Sequence, residues 1–171
     1  GILPAGCGDA ATRTYRSQTG EISINAGAPS FHVATPRSEG FSLEAGSTEK
    51  GRFADVTLKR HHGVFFVTAL GEGGLADASR YLLMHTTHQL ATGVEFENED
   101  RSVQLTYGRL PLLVHRGEAQ VALARDLGGF RLFALKPDGT RGESIPMRVA
   151  DGKTSFVLST AKALAYELVR E

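Results

Sequence analysis

From about Thr12 onward, apolar and polar residues alternate with period two, and turn-forming residues interrupt the alternation every eight to twelve positions. Glu21-Ile22-Ser23-Ile24-Asn25 alternates, with both isoleucines on one face. Phe31–Ala34 follows a Gly-Ala-Pro turn, and Asp55–Lys59 alternates again. Gly63–Val67 is a continuous apolar run, the pattern of a strand covered on both faces, and Tyr81–Met84 has the same character. Val94–Glu97, the turn formers Asn98-Glu99-Asp100, and Val103–Tyr107 together spell a β-hairpin. Its core face would carry Val94 and Phe96, leaving Glu95 and Glu97 to solvent. Leu112–Val114, Ala119–Leu123, Phe130–Leu135, Pro146–Val149 and Ser155–Leu158 complete the series, with strong turn signals at Lys136-Pro137-Asp138-Gly139 and Asp151-Gly152.

The tail, Ala161–Glu171, fits two templates. Ala, Leu and Glu favour a helix, with Leu164 and Leu168 four apart. Leu164, Tyr166 and Leu168 also alternate with their neighbours, and in an otherwise all-β chain a closing strand buries them. A strand is therefore expected. Leu70–Asp77 is a Gly-rich loop with room for a short helical turn and no more. About a dozen short strands separated by such turns predict an all-β fold, an antiparallel β-sandwich over residues 13–171. Residues 1–12 are small and Gly-rich without periodicity, and read as a linker or cloning remnant. Within them Leu-Pro-Ala-Gly-Cys resembles a lipoprotein processing box around Cys7, but Leu3 lies four residues before the cysteine where three is usual, and a solvated tail is preferred.

Composition narrows the partners. Nineteen Lys and Arg balance nineteen Asp and Glu, so the basic excess that phosphate binding leaves is missing, and no nucleic-acid partner is expected. No apolar run reaches the roughly 18 residues of a membrane-spanning helix. A single cysteine allows neither an internal disulfide nor a zinc site of cysteine pairs.

Candidate chemistry is sparse. Gly71–Gly74 lacks the Lys-Ser/Thr that completes a phosphate loop. The six histidines, His32, His61, His62, His85, His88 and His115, show no metal-ligand spacing: His85 and His88 share a face only in a helix, and His61 and His62 diverge in a strand. No metal or cofactor is expected. Glu95 and Glu97 share a strand face but point to solvent, whereas glycosidic cleavage needs two carboxylates facing across a cleft. No Gly-x-Ser-x-Gly elbow occurs, and Cys7 sits in the tail. No catalytic residue is therefore assigned. Sugar contact is a non-catalytic alternative, because pyranose rings stack on exposed aromatic faces. With tryptophan absent, only Tyr15, Tyr81, Tyr107 and Tyr166 combine a ring with a polar tip, and Tyr107-Gly108-Arg109 forms a polar-aromatic patch at a strand end. Tyr107 and Arg109 are the carbohydrate-binding candidates.

Seven stretches occur in a distinctive order: Tyr15–Ile22, Val33–Arg37, Ser79–Leu83, Ala91–Val94 followed by Asn98–Arg101, Tyr107–Val114, Phe133–Gly139 and Ala165–Glu167. Together they resemble the C-terminal β-sandwich module of large bacterial glycoside-hydrolase-like proteins, which carry a cellulase-like (β/α) barrel upstream. That family's pattern reads S-D-T-G-E-I, V-x-T-P-R, S-x-x-L-L, N-T-G before N-E-D-R, W-G-x-G-P-hydrophobic-L-V-E, Y-A-L-D-P-D-G and W-Y-E at the corresponding places. This chain departs where the family has tryptophans, with Ser23 and Ile24, Tyr107 and Ala165 there, and it has His115 for a glutamate. The resemblance transfers no catalytic residue. It implies an accessory domain that packs on the catalytic barrel of the same parent chain, supports it or completes its substrate cleft, in a secreted or periplasmic bacterial protein. A carbohydrate-binding module that recruits polysaccharide is the alternative.

Overall fold

A computed structural model describes residues 6–171. Leu3, on which the processing-box spacing depends, lies outside the described residues. The described chain is all β. In chain order the strands are β1 (Gly8–Asp9), β2 (Thr14–Arg16), β3 (Ile22–Asn25), β4 (Ser30–Ala34), β5 (Ser38–Leu43), β6 (Thr48–Lys50) and β7 (Ala54–Arg60). They continue with β8 (Gly63–Ala69), β9 (Arg80–Thr87), β10 (Gln89–Thr92), β11 (Glu95–Phe96), β12 (Gln104–Thr106) and β13 (Arg109–Val114). The last are β14 (Glu118–Leu123), β15 (Phe130–Leu135), β16 (Arg141–Ile145), β17 (Met147–Ala150), β18 (Lys153–Ser159) and β19 (Ala165–Arg170).

Ten strands form one antiparallel sheet in the order β1-β2-β3-β4-β5-β8-β9-β19-β15-β16, and five form a second in the order β17-β18-β14-β7-β6. The two sheets face each other across one apolar core. On the inner face of the larger sheet, Phe41, Phe65 and His85 lie side by side, as do Val67, Leu83, Tyr166 and Ala134. Opposite them the smaller sheet presents the rows Val56–Val121–Phe156 and Leu58–Ala119–Leu158. These side chains are essentially buried throughout. Burial of each large one contributes roughly 1.5–3 kcal/mol. The chain changes sheet after β5, returns at β8, and makes the same crossing again through β14 and through β17–β18.

The closing segment is a strand, β19, inserted between β9 and β15 in the interior of the large sheet. The Asp151-Gly152 turn takes positive φ at both residues (52° and 71°), the two-residue geometry that joins twisted strands, here β17 and β18. Residues 8 and 9, within the stretch read as a linker, pair with Tyr15 and Thr14, and Asp9 accepts hydrogen bonds from Ala11 N and the Thr12 hydroxyl.

Several burial expectations change. Gly63–Val67 and Tyr81–Met84 are not covered on both faces: Phe65, Val67, Tyr81 and Leu83 enter the core, while Val64 and Met84 face outward and are exposed. The Val94 and Phe96 face of the hairpin is half-buried in an arm outside the main core. The Gly-rich loop Leu70–Asp77 is held from below, since Arg37 donates to the carbonyls of Gly73 (2.5 Å) and Gly71 (2.6 Å). Its carbonyls point at a cation, the reverse of a phosphate cradle.

Candidate functional site

Between β9 and β14 the chain leaves the sandwich and builds an arm. β10 pairs with β13 and β11 with β12, in two small sheets separate from the main ones. Every residue from Arg101 to Leu113 is exposed. Both candidates read from the sequence, Tyr107 and Arg109, are on this arm, flanking Gly108. Gly108 has φ 67°, and a Cβ there would meet Thr92 O and Val94 N at 2.8 Å, so glycine lets the two ends of the arm close against each other. The Tyr107 ring is 87% exposed and Leu110 79%, with Leu105, Leu112 and Leu113 more than half exposed. Leu112 and Leu113 point to opposite sides of one strand, so β13 is bare on both faces.

The other sequence candidates fare differently. Tyr81 and Tyr166 are wholly buried, with hydroxyls that donate to the carbonyls of Leu75 (2.8 Å) and Ser159 (2.7 Å). They are core residues. Glu95 and Glu97 are exposed on the arm.

Two carboxylates are buried, and register shows what they do. Glu39 lies in the row with Val67 and Leu83 and points between the sheets. It accepts from the backbone N–H groups of Arg52 (2.7 Å), Phe53 (2.8 Å) and Ala54 (2.7 Å), and His32 Nε2 lies 3.0 Å from it. Glu167 lies in the row with Leu82 and Thr68, on the opposite face of the same sheet. There it accepts from Arg80 Nε and Arg141 Nε, each at 2.5 Å. The hydrogen bond from Arg141 is the main cause that holds its carboxyl below the usual range. Each carboxylate is saturated by structural donors, and opposite faces of a sheet cannot share one glycosidic oxygen.

A broad apolar surface, unrecognised in the sequence, covers the outer face of the ten-stranded sheet. Strand pairing sets Tyr15, Ile24, Phe31, Ser42 and Val64 in one row, and Ile22, Val33, Gly40, Phe66 and Met84 in the next. Tyr15, Ile22, Ile24, Phe31, Val64 and Met84 are each about 40% exposed. Gly40 belongs to this face because the Phe66 ring lies over it, 2.6 Å from where a Cβ would stand. Strands apolar on both sets of positions were the available signal: alternation alone assigns only one set to a core.

The outer face of the smaller sheet holds a groove of about 880 Å³ whose polar lining includes Asp55, Thr57, Gln120 and Ser155. Much of it is internally satisfied, with Lys153 Nζ 3.0 Å from Asp55 and the Thr48 and Thr57 hydroxyls 2.8 Å apart.

Three of the histidines gather at the base of the arm. His61 and His115 have ring centroids 4.8 Å apart, and His88 and His115 5.7 Å. Arg101 donates to His88 Nε2. A guanidinium at that nitrogen opposes a divalent cation, and among the described residues no group of three His, Cys, Asp or Glu side chains is placed to hold one. No protein-family model, curated protein or solved structure matches this chain.

Proposed function

We propose that this chain is a non-catalytic accessory β-sandwich of a secreted or periplasmic bacterial glycoside hydrolase, packed against the catalytic barrel of the same polypeptide. The observation that carries the reading is the apolar band on the outer sheet face. Contiguous exposed apolar area of this kind marks a surface that another body covers, and interdomain interfaces within one chain are of that modest, mixed character. The ordered resemblance to modules that follow a barrel supports the same partner. The saturated state of Glu39 and Glu167 supports a structural use of the buried acids.

The test is made in the polypeptide that carries both domains. Ile24→Asp with Val64→Asp should split one cooperative thermal transition into two, while the separate chain should change by only about 0.5 kcal/mol, as exposed positions do. The separate chain should release no reducing sugar from a panel of β-glycosides and plant polysaccharides. An unsplit transition, or turnover that follows the chain through repurification, overturns the reading.

The arm tip favours a second reading, a carbohydrate-binding module that recruits polysaccharide. Tyr107 offers a bare ring and Arg109 a guanidinium two residues on, a stacking platform with a hydrogen-bond donor beside it. Affinity gel electrophoresis against a glycan panel should then show retardation that Tyr107→Ala abolishes. Absence of retardation across the panel removes this alternative.

A further inference from the structure

The arm is held to the sandwich at a neck, where His115 N donates to His88 O at 3.0 Å. The β11–β12 hairpin folds back along the arm, so that Arg101, in its turn, reaches His88. Arginine can only donate, so this hydrogen bond requires a bare lone pair on His88 Nε2 and hence a neutral imidazole protonated at Nδ1. We propose that the His88–Arg101 contact is a pH-operated latch: neutral His88 holds the β11–β12 hairpin against the neck, and protonated His88 releases it.

Protonation acts twice. It removes the acceptor, and it places two cations side by side. The groups around His88 add to the second effect. Arg101, His115 and His62 all act on its ring as positive or potentially positive charges, and no carboxylate appears among them. His61 packs on His115, and Arg60 and Arg116 flank the cluster in sequence. The acid that register places nearby, Glu118, stands opposite Arg60. The carboxylates of the hairpin turn, Glu97, Glu99 and Asp100, are exposed. Local desolvation at the neck and the neighbouring positive charges hold the exposed His88 below the ordinary histidine value of 6.5. The latch is therefore closed above that pH and opens as the pH falls through the lower, folded-state value. Release frees the hairpin strand that carries Leu105, and with it the connection to β13 in which Tyr107 stands, so acidification changes the presentation of the arm without unfolding the sandwich.

Backbone amide exchange, corrected for intrinsic rates and compared at about pH 7.5 and about pH 5, tests this across the histidine range. Protection over Glu95–Thr106 should fall roughly fivefold or more at the lower pH, the scale of one lost hydrogen bond. Amides of β7, β8 and β14 should keep theirs. His88→Gln, which retains a neutral acceptor, should show equal hairpin protection at both pH values. Arg101→Ala should show the low-pH level already at the higher pH. Unchanged hairpin protection in the parent chain overturns the latch, as does the same loss in His88→Gln, or an equal loss in the body strands.

Discussion

His85 shows how one side chain couples this core to pH. It is fully buried in the row with Phe41 and Phe65, and its Nδ1 donates to Val64 O at 3.2 Å. Its Nε2 has no partner. A buried imidazole with one unpartnered nitrogen resists gaining a charge, and burial pushes its pKa below 6.5. The unfolded chain then binds a proton that the folded chain refuses. Stability from this group is complete above the unfolded value and declines as pH falls from there toward the lower folded value. Equilibrium urea unfolding between about pH 7.5 and pH 5 should show that decline. His85→Leu, which removes the refused proton and the orphan nitrogen together, should make it shallower at little or no cost in stability near neutrality. An undiminished slope in that variant would assign the acid sensitivity elsewhere. Gly117 is tied to the same spot, because a Cβ there would stand 2.4 Å from Thr87 Cγ2 and 3.0 Å from His85 Nε2.

At the scale of elements, Glu39 fastens one sheet to the other. It projects from β5 and receives three consecutive backbone N–H groups from the segment that enters β7. Without it the N–H groups of Phe53 and Ala54 would be buried without acceptors. His32 supports it from β4 by stacking on Phe41, with ring centroids 4.4 Å apart. Glu39→Ala should cost roughly 3 kcal/mol, because each buried donor left unpaired costs about 1–3 kcal/mol and local water recovers part of that. Glu39→Gln, which keeps one strong acceptor, should cost less than half as much. Urea midpoints at constant slope measure both, and an alanine variant within about 0.5 kcal/mol of the parent would remove Glu39 from this role. Glu167 does the corresponding work within one sheet, joining β19 to β9 through Arg80 and, across β15, to β16 through Arg141. The arm is the contrasting element. Its strands pair only with each other, so its attachment rests on the neck and on the Arg101–His88 contact.

At the scale of the molecule, the two sheets are unequal, and that inequality creates the proposed docking face. Five strands cover the inner side of only part of the larger sheet, while its outer side carries the band of Ile22, Ile24, Phe31, Val64, Phe66 and Met84. A sandwich that ended at its own surface would make that side polar, as antiparallel sheets with one wet face normally do. The apolar outer rows are therefore the place where a covering domain gains most, and the split-transition experiment addresses that gain directly.

Much of the architecture was legible along the chain. Period two, the turn chemistry of Asp151-Gly152 and Lys136–Gly139, and the closing alternation of Leu164, Tyr166 and Leu168 are local properties, and local properties survive into the fold. Strand β5 was not legible. Ser-Glu-Gly-Phe-Ser-Leu carries a glutamate and a glycine where a strand pattern asks for apolar residues. Glu39 is there to satisfy the backbone of a distant segment, and Gly40 to admit the ring of Phe66. Nor could sequence bring Arg101, His62 and His115 to His88, or His61 against His115, because the 61–62 turn, residues 88 and 115 and the hairpin turn at 101 lie far apart along the chain. The amino-acid order by itself determined an all-β chain with its strands and turns, since side-chain alternation and backbone dihedral preference act between near neighbours. Tertiary structure alone decided which apolar face met the core, which acids were neutralised and where the imidazoles met, because each of these depends on groups brought together across the sheets from far along the chain.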